Sequence, residues 1–311
     1  MNKTVFYLSQ LFLFLLATLA ARSQSGISGE FKVDYVPFSK YVRPIDSTKT
    51  DAESNFKRAQ IAFEIPLSLK MDKYNHPRLW SVIVNGSYAK MENRNYNIQD
   101  LPAEFQGGFP NELLNTQIGI KHIRSISSSW SLFIMASVGI YTDMVEINKD
   151  DVLMQGGVLF IKQFNPNLAL GVGPVLTNSF GVPMVLPGIY FNWESRGALH
   201  FKVAFPEGVE LGYRMNDNFD LKLVGELSGM TAETKIGNKS SLLGYQQIIA
   251  GLRPQLKFGE HWTLEPTAGT TLVRNFSTTN RKIKDIFKEK DMADPRFTTT
   301  FYGALALKWK F

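Results

Sequence analysis

Short runs in which apolar residues alternate with polar or small ones, repeated from Ile27 to the C-terminal Phe311, constrain this chain more than any other feature. The last run shows the pattern in full. From Phe297 to Phe311 the odd positions carry Phe297, Thr299, Phe301, Gly303, Leu305, Leu307, Trp309 and Phe311. The even positions carry threonines, Tyr302, alanines, Lys308 and Lys310. A period of two belongs to a β-strand, whose successive side chains point to opposite faces. An apolar face with aromatics at both ends, backed by a small, hydroxylated or cationic face, suits a wall between lipid and a wet lumen. A half-buried strand of a secreted sandwich shares the period, so the connections must separate the two folds.

The runs fall at Ile27–Val36, Phe56–Lys70, Leu79–Met91, Leu113–Arg124, Trp130–Thr142, Val152–Phe164 and Leu168–Thr177. They continue at Met184–Glu194, Ala198–Ala204, Val209–Met215, Phe219–Gly229, Leu242–Phe258, Trp262–Phe276 and Phe297–Phe311. Between them, tight turns such as Asn165-Pro166-Asn167, Ser195-Arg196-Gly197, Asn216-Asp217-Asn218 and Gly259-Glu260-His261 alternate with mostly longer loops. Pro37–Asn55, Glu92–Glu112, Met230–Ser241 and Ser277–Arg296 read as loops. Short turns at one end and longer loops at the other are the signature of a transmembrane barrel. Trp130, Trp193, Trp262 and Trp309 all stand beside a tight turn or the chain end, as an interfacial girdle requires. The pattern predicts an all-β, antiparallel up-and-down transmembrane barrel of about fourteen strands. An even count leaves both termini at the short-turn end. If Phe205–Gly208 is a bulge within one strand, the alternative is about twelve.

Composition agrees. Hydrophobic residues make up 44% and charged residues 20% of the 311 residues, and aromatics 13%. The mean hydropathy of −0.11 excludes a helical membrane protein but not a barrel, whose strands are only half apolar. The chain has no Cys. That removes disulfides, thiolate metal sites, a Cys nucleophile and a lipoprotein anchor. Lys3, the uncharged apolar stretch Val5–Ala20 and Ala21-Arg22-Ser23 read as a secretory signal over residues 1–23, followed by one domain over residues 24–311. The net charge of +6 comes without a basic cluster on a helix, so nucleic acid is not expected as a partner.

The closing strand, alternating and ending on Phe311, resembles that of Gram-negative outer-membrane β-barrels. The resemblance covers essentially the whole mature chain, and the nearest pattern is that of uncharacterised outer-membrane barrels of Bacteroidota, families of the domain-of-unknown-function kind. It implies an outer-membrane location with periplasmic termini, contact with lipid and lipopolysaccharide, and a terminal Phe311 read by the barrel-insertion machinery. It carries over no functional residues.

By parity the lumen receives Glu64, Lys121, Arg253, Lys257, Glu265 and Lys308, together with a concentrated set on five neighbouring strands. That set is Glu194, His200, Lys202, Glu210, Arg214, Lys222 and Glu226. Two readings of it stay open: a polar constriction selecting small solutes, or a lumen packed shut by ion pairs. The leading function is a passive or gated channel; a closed barrel that binds a partner through its loops, and a lipid-modifying enzyme, are the alternatives. No catalytic residue, metal site or cofactor is expected. The four histidines offer little: His76 and His261 sit in turns, and His122 neighbours a serine-rich turn at Ser125–Ser129 without a carboxylate fixed beside it. His200 near Glu194 and Glu210 is short of a metal-ligand signature. Arg281–Asp294, with Ile283, Ile286 and Phe287 at helical spacing, reads either as a short helix over one mouth or as a solvated loop.

Overall fold

Each alternating run forms a strand, and each long strand pairs antiparallel with the long strand before and after it. The computed structural model describes residues 26–74, 76–102, 105, 108–236, 239–280 and 295–311. The secretory signal and Arg281–Asp294, read as either a short helix or a solvated loop, lie outside these residues. The strands are β1 (Ser28–Val42), β2 (Lys49–Met71), β3 (Pro77–Lys90), β4 (Asn93–Arg94), β5 (Glu112–Ser125) and β6 (Trp130–Thr142). Then come β7 (Val152–Asn165), β8 (Leu168–Thr177), β9 (Met184–Glu194), β10 (Leu199–Phe205) and β11 (Gly208–Asn216). The last are β12 (Phe219–Ile236), β13 (Lys239–Phe258), β14 (Trp262–Asn280), β15 (Arg296–Phe297) and β16 (Phe301–Lys310). β4 and β15 are two-residue pairings at the long-loop end, so fourteen long strands make the wall.

β1 closes the ring. Its Ser28 stands opposite Glu64 of β2 and opposite Lys310 of β16. The result is a closed fourteen-stranded up-and-down barrel, and closure leaves no free sheet edge along most of its height. Phe205–Gly208 is a turn between separate strands, which removes the twelve-stranded alternative.

Three boundaries differ from the sequence reading. β1 and β2 run on through most of Pro37–Asn55, because their pairing continues past a bulge after Val36 to Val42 opposite Lys49. The described residues of Met230–Ser241 are strand and not loop: β12 and β13 stay in register from Phe219 opposite Leu256 to Ile236 opposite Lys239. The closing strand is interrupted at Thr298–Thr300, between β15 and β16.

The outward positions form an exposed apolar surface around the barrel, including Phe31, Ile61, Ile120, Val172, Leu211, Leu223, Leu252 and Leu305. So much contiguous apolar surface has to be covered by something other than water. At the short-turn end, Trp262 packs against Trp309 at 5.8 Å and against Phe311 at 6.0 Å.

The interior is packed at the opposite end. There, Val36, Phe56, Phe109, Met230, Tyr245 and Phe276 belong to one buried apolar cluster inside the barrel. Phe56 stacks on Tyr245 at 4.4 Å, and Phe109 on Phe276 at 4.5 Å. Arg274, 1% exposed, ties this plug together. It donates to the Tyr245 hydroxyl (3.0 Å), the Ser39 hydroxyl (2.8 Å) and the carbonyls of Ser54 (2.7 Å) and Asn55 (2.9 Å).

Candidate functional site

Below the plug the lumen is crossed by a lattice of ion pairs. Inward even positions of β1, β10 to β12 and β16 face inward odd positions of β13 and β14, so opposite charges from different strands meet. Glu226 accepts from Lys32 at 3.0 Å and from Arg253 at 2.5 Å, and Arg253 also donates to the Thr267 hydroxyl at 2.8 Å. Lys222 lies 3.0 Å from Glu210 and 3.7 Å from Glu265. Lys308 links Glu265 at 2.7 Å to Glu30 at 3.6 Å. Nearer the plug, Arg58 clasps Asp34 at 2.6 Å, with both side chains buried. Toward the short turns, Glu64 pairs with Lys121 and accepts from the Ser81 hydroxyl at 2.8 Å.

The lattice does not fill the lumen. A cavity of about 820 Å3 reaches the short-turn end, where Glu260 and His261 line it. A second, of about 420 Å3, lies farther in and is lined by amides and hydroxyls such as Gln60, Asn85, Gln117, Gln155, Asn178 and Ser228. Glu30, Ala62 and Asn85 line both, so the two spaces adjoin. Gln60 and Asn85 make no side-chain hydrogen bond among the described residues.

A roof closes the inner cavity toward the long loops. Past Leu227, β12 leaves the wall and crosses the lumen to its far side, where Glu233 pairs with Thr142 of β6. The Asn115 side chain of β5 receives it as a strand would: the Thr231 N–H donates to Asn115 Oδ1 (3.0 Å), and Asn115 Nδ2 donates to the Thr231 carbonyl (2.5 Å). The β8–β9 loop lies against the same stretch, with Asn178 donating to the Thr231 hydroxyl (3.0 Å) and that hydroxyl donating to the Gly181 carbonyl (2.7 Å). The backbones meet so closely that a Cβ on Gly244 would stand 2.5 Å from the Gly181 carbonyl carbon. Beside the far anchor, burial holds the Asp143 carboxyl above its ordinary range; the Val145 N–H opposes this and the charge of Asp151 reinforces it.

Of the residues expected in the lumen, Glu210, Lys222 and Glu226 lie in the lattice, and His200 Nε2 is 3.6 Å from Glu210. Lys202 lines the short-turn cavity. Glu194 and Arg214 are exposed close to the short turns, and neither they nor Lys202 make an ion pair among the described residues. Phe311 is exposed, with its N–H donating to the Ile27 carbonyl at 2.9 Å. The lattice also recruits Glu30, Lys32, Asp34 and Arg58, which sequence reasoning did not single out. His122 stacks on Trp80 at 3.8 Å, and the histidine that meets the serine-rich turn is His76, with Nδ1 3.1 Å from the Ser125 hydroxyl. No group of three or more His, Asp or Glu among the described residues is placed to hold a metal ion.

Solved structures with similar chain traces are outer-membrane proteins. The COG4313 outer membrane channel from Pseudomonas putida F1 is 9% identical with a TM-score of 0.46, over 92% of this chain and 96% of that one. The Pseudomonas putida toluene transporter TodX is 8% identical with a TM-score of 0.35, over 91% and 89%. Acinetobacter baumannii OccAB4 is 12% identical with a TM-score of 0.33, over 93% and 99%. Similarity this low carries no inference about what the present chain does. No curated protein matches the chain. A family model described as a domain of unknown function, DUF6268, matches residues 19–310.

Proposed function

The chain belongs to the DUF6268 family, a domain of unknown function, and from that premise we propose that it is an outer-membrane channel for small polar solutes, gated at its long-loop end. The apolar outward surface then meets lipid and lipopolysaccharide, and the tryptophans at the short turns mark the periplasmic interface. Both termini are periplasmic in this reading, and Phe311 is part of the signal read by the insertion machinery. The reading assigns transport and no catalysis.

The observation that carries it is the pair of adjoining polar cavities, sharing Glu30, Ala62 and Asn85, which together reach from the short-turn end to the underside of the roof. A barrel serving only as a wall has no use for a polar lumen cavity ending at a hydrogen-bonded crossing strand. The roof makes the channel gated rather than passive, since β12 must leave Asn115 before a solute passes.

Conductance in planar bilayers tests this. The wild-type protein is expected to open rarely, and Asn115→Ala, which removes both bonds to Thr231, to open more often. If neither protein conducts while both insert, the closed barrel replaces the channel, a reading favoured by the apolar plug around Arg274.

A further inference from the structure

We propose that the wall has a side door above the β10–β11 hairpin, through which an outer-leaflet amphiphile places a small, uncharged, hydrogen-bonding head in the roofed cavity while its chain stays in lipid. The proposal rests on the membrane placement given above and not on conduction.

The first observation is length. β10 has seven residues, whereas a spanning strand needs ~9–11. Seven residues tilted by ~45° rise roughly 16 Å, against an apolar band ~25 Å tall. The neighbours are longer. β9 continues five residues past the Phe205–Ile189 pairing to Met184, and β12 continues ten past the Gly208–Glu226 pairing to Ile236. The wall is therefore notched at the depth of the outer leaflet.

The second observation is what borders the notch. On one side the edge of β9 from Met184 to Gly188 has no partner strand, and Pro187 in that edge lacks an N–H. On the other, β12 has left the wall for the far side. Backbone without a partner is tolerated at membrane depth only where it is buried in protein or lines a wet cavity. The wet cavity is there: Glu207 at the hairpin tip, Asn178 and Ser179 in the loop above, and Ser228 and Gly229 on β12 all line it.

The third is the closure. The β8–β9 loop spans the top of the notch to reach Thr231, and its Phe180 packs edge-on against Phe205 of the hairpin tip at 6.5 Å. Two packed aromatic rings, Phe205 exposed on the outer surface and Phe180 half-buried beside it, with an amide-lined space behind them, form a door suited to an amphiphile. The unpartnered amides of Gln60 and Asn85 supply both donors and acceptors for the head. Lys32, Arg58 and Glu226 are already paired there, so no free cation awaits an anionic head, which favours an uncharged one over it.

The absence of cysteine makes the test direct. Ser228→Cys puts a thiol behind the door, and Asn85→Cys puts one on the far wall where the two cavities adjoin. In lipid vesicles, membrane-confined N-dodecylmaleimide is expected to label the first much faster than the second, while a charged water-soluble maleimide labels both from the short-turn side. Phe180→Ala, and independently Phe205→Ala, should raise the lipid-route rate at Ser228→Cys by up to about tenfold, the weight of one aromatic pair on a closed state. Unchanged water-route rates establish that each variant is folded. Decyl glucoside should protect this thiol and decyl sulfate should not. Equal lipid-route labelling of both thiols, or no response to either door variant, overturns the side door; equal protection by decyl sulfate overturns the uncharged head. A barrel that conducts without lipid-route labelling sinks the door alone, and one that labels without conducting sinks the channel alone.

Discussion

Arg274 shows both what parity gives at the scale of a residue and where it stops. Glu265, Thr267 and Thr271 point inward from odd positions of β14, so parity sends Arg274 to the lipid. The pairing with β13 jumps from Ile249–Thr271 to Ile248–Val273, leaving Leu272 as an extra residue. Leu272 and Val273 are both exposed, and the even positions beyond them, Arg274 and Phe276, turn inward. One bulge thus places the guanidinium that ties the plug, and nothing in a single sequence announces it. Glu210, Lys222 and Glu226 were legible because the one register shift between β11 and β12, at Arg214–Asn216, lies beside the short turn and leaves the parity of these three undisturbed. Glu30, Lys32 and Asp34 alternate strictly with Phe31, Val33 and Tyr35, so their signal was present and passed unread. Glu207 sits in a turn and has no period at all. The buried pair gives a prediction at this scale. Asp34→Asn leaves Arg58 without its charge partner, which for a buried pair costs ~3–5 kcal/mol. Lys202→Ala, at an exposed and unpaired position, should change stability by no more than ~0.5 kcal/mol. Thermal midpoints of heat-modifiable mobility compare the two; equal shifts would mean that water screens the Arg58 pair.

At the scale of the element, the β12–β13 hairpin is where sequence reading and structure part most. Its tip, Met230–Ser241, was read as a loop because a lipid-facing strand announces itself by one apolar face, and this part of the hairpin faces no lipid. It lies inside the barrel, with Met230, Ala232 and Leu243 in the plug and Thr231 and Glu233 against the far wall. Protein on both sides removes the contrast that the period needs. Its contact with the β8–β9 loop at Gly244, against Gly181, has no room for a side chain. Gly244→Val should therefore push the β8–β9 loop off the roof and raise open probability, with the wall strands still folded; unaltered gating in a folded variant would show that this contact does not hold the roof. Asp143 adds a pH dependence at the far anchor. Burial raises its folded carboxyl above the unfolded range, so the folded state holds the proton more tightly. The stability this contributes is full below the unfolded value and is lost as pH rises through the folded one, upward from about pH 4. Asp143→Asn should flatten that limb of a stability-against-pH curve. A limb of unchanged slope would assign it to another group.

At the scale of the whole molecule, fold class was legible because it depends on sums that single bulges do not disturb: the number of runs, the sorting of turns by length, and tryptophans at one end. Closure by β1 between β2 and β16 follows from those sums. Whether the lumen is open was not legible, since the plug gathers residues from several wall strands and from the loop between β3 and β5, and the roof is made by a strand that leaves the wall. The same scale carries the test of topology: a tag at Gly108 should be labelled on intact cells and one at Asn165–Asn167 should not, and the reverse pattern would invert the barrel. It also carries assembly. Phe311→Ala should lower the amount of folded, heat-modifiable protein in the membrane, because the ring closes the Trp262–Trp309 cluster and its place resembles the insertion signal. Undiminished folded protein would remove Phe311 from that role.

The charges of the lumen separate selectivity from stability. Lys202 lines the short-turn cavity and Arg214 lies exposed near the same end, and neither is paired among the described residues. Charges of this kind set the potential that a passing ion meets, and low-dielectric walls focus it. Lys222 differs, because it bridges Glu210 and Glu265 within the lattice. In an Asn115→Ala background with the roof loosened, Lys202→Gln combined with Arg214→Gln should move the reversal potential toward cation preference and leave the thermal midpoint nearly unchanged. Lys222→Gln should lower the midpoint instead, since two carboxylates lose a shared partner in a partly buried site. The double variant adds no net strain to the lattice, so a fall in its midpoint would mean that Lys202 or Arg214 is part of the packing. A reversal potential that stays put while current flows would place the ion path away from the short-turn cavity.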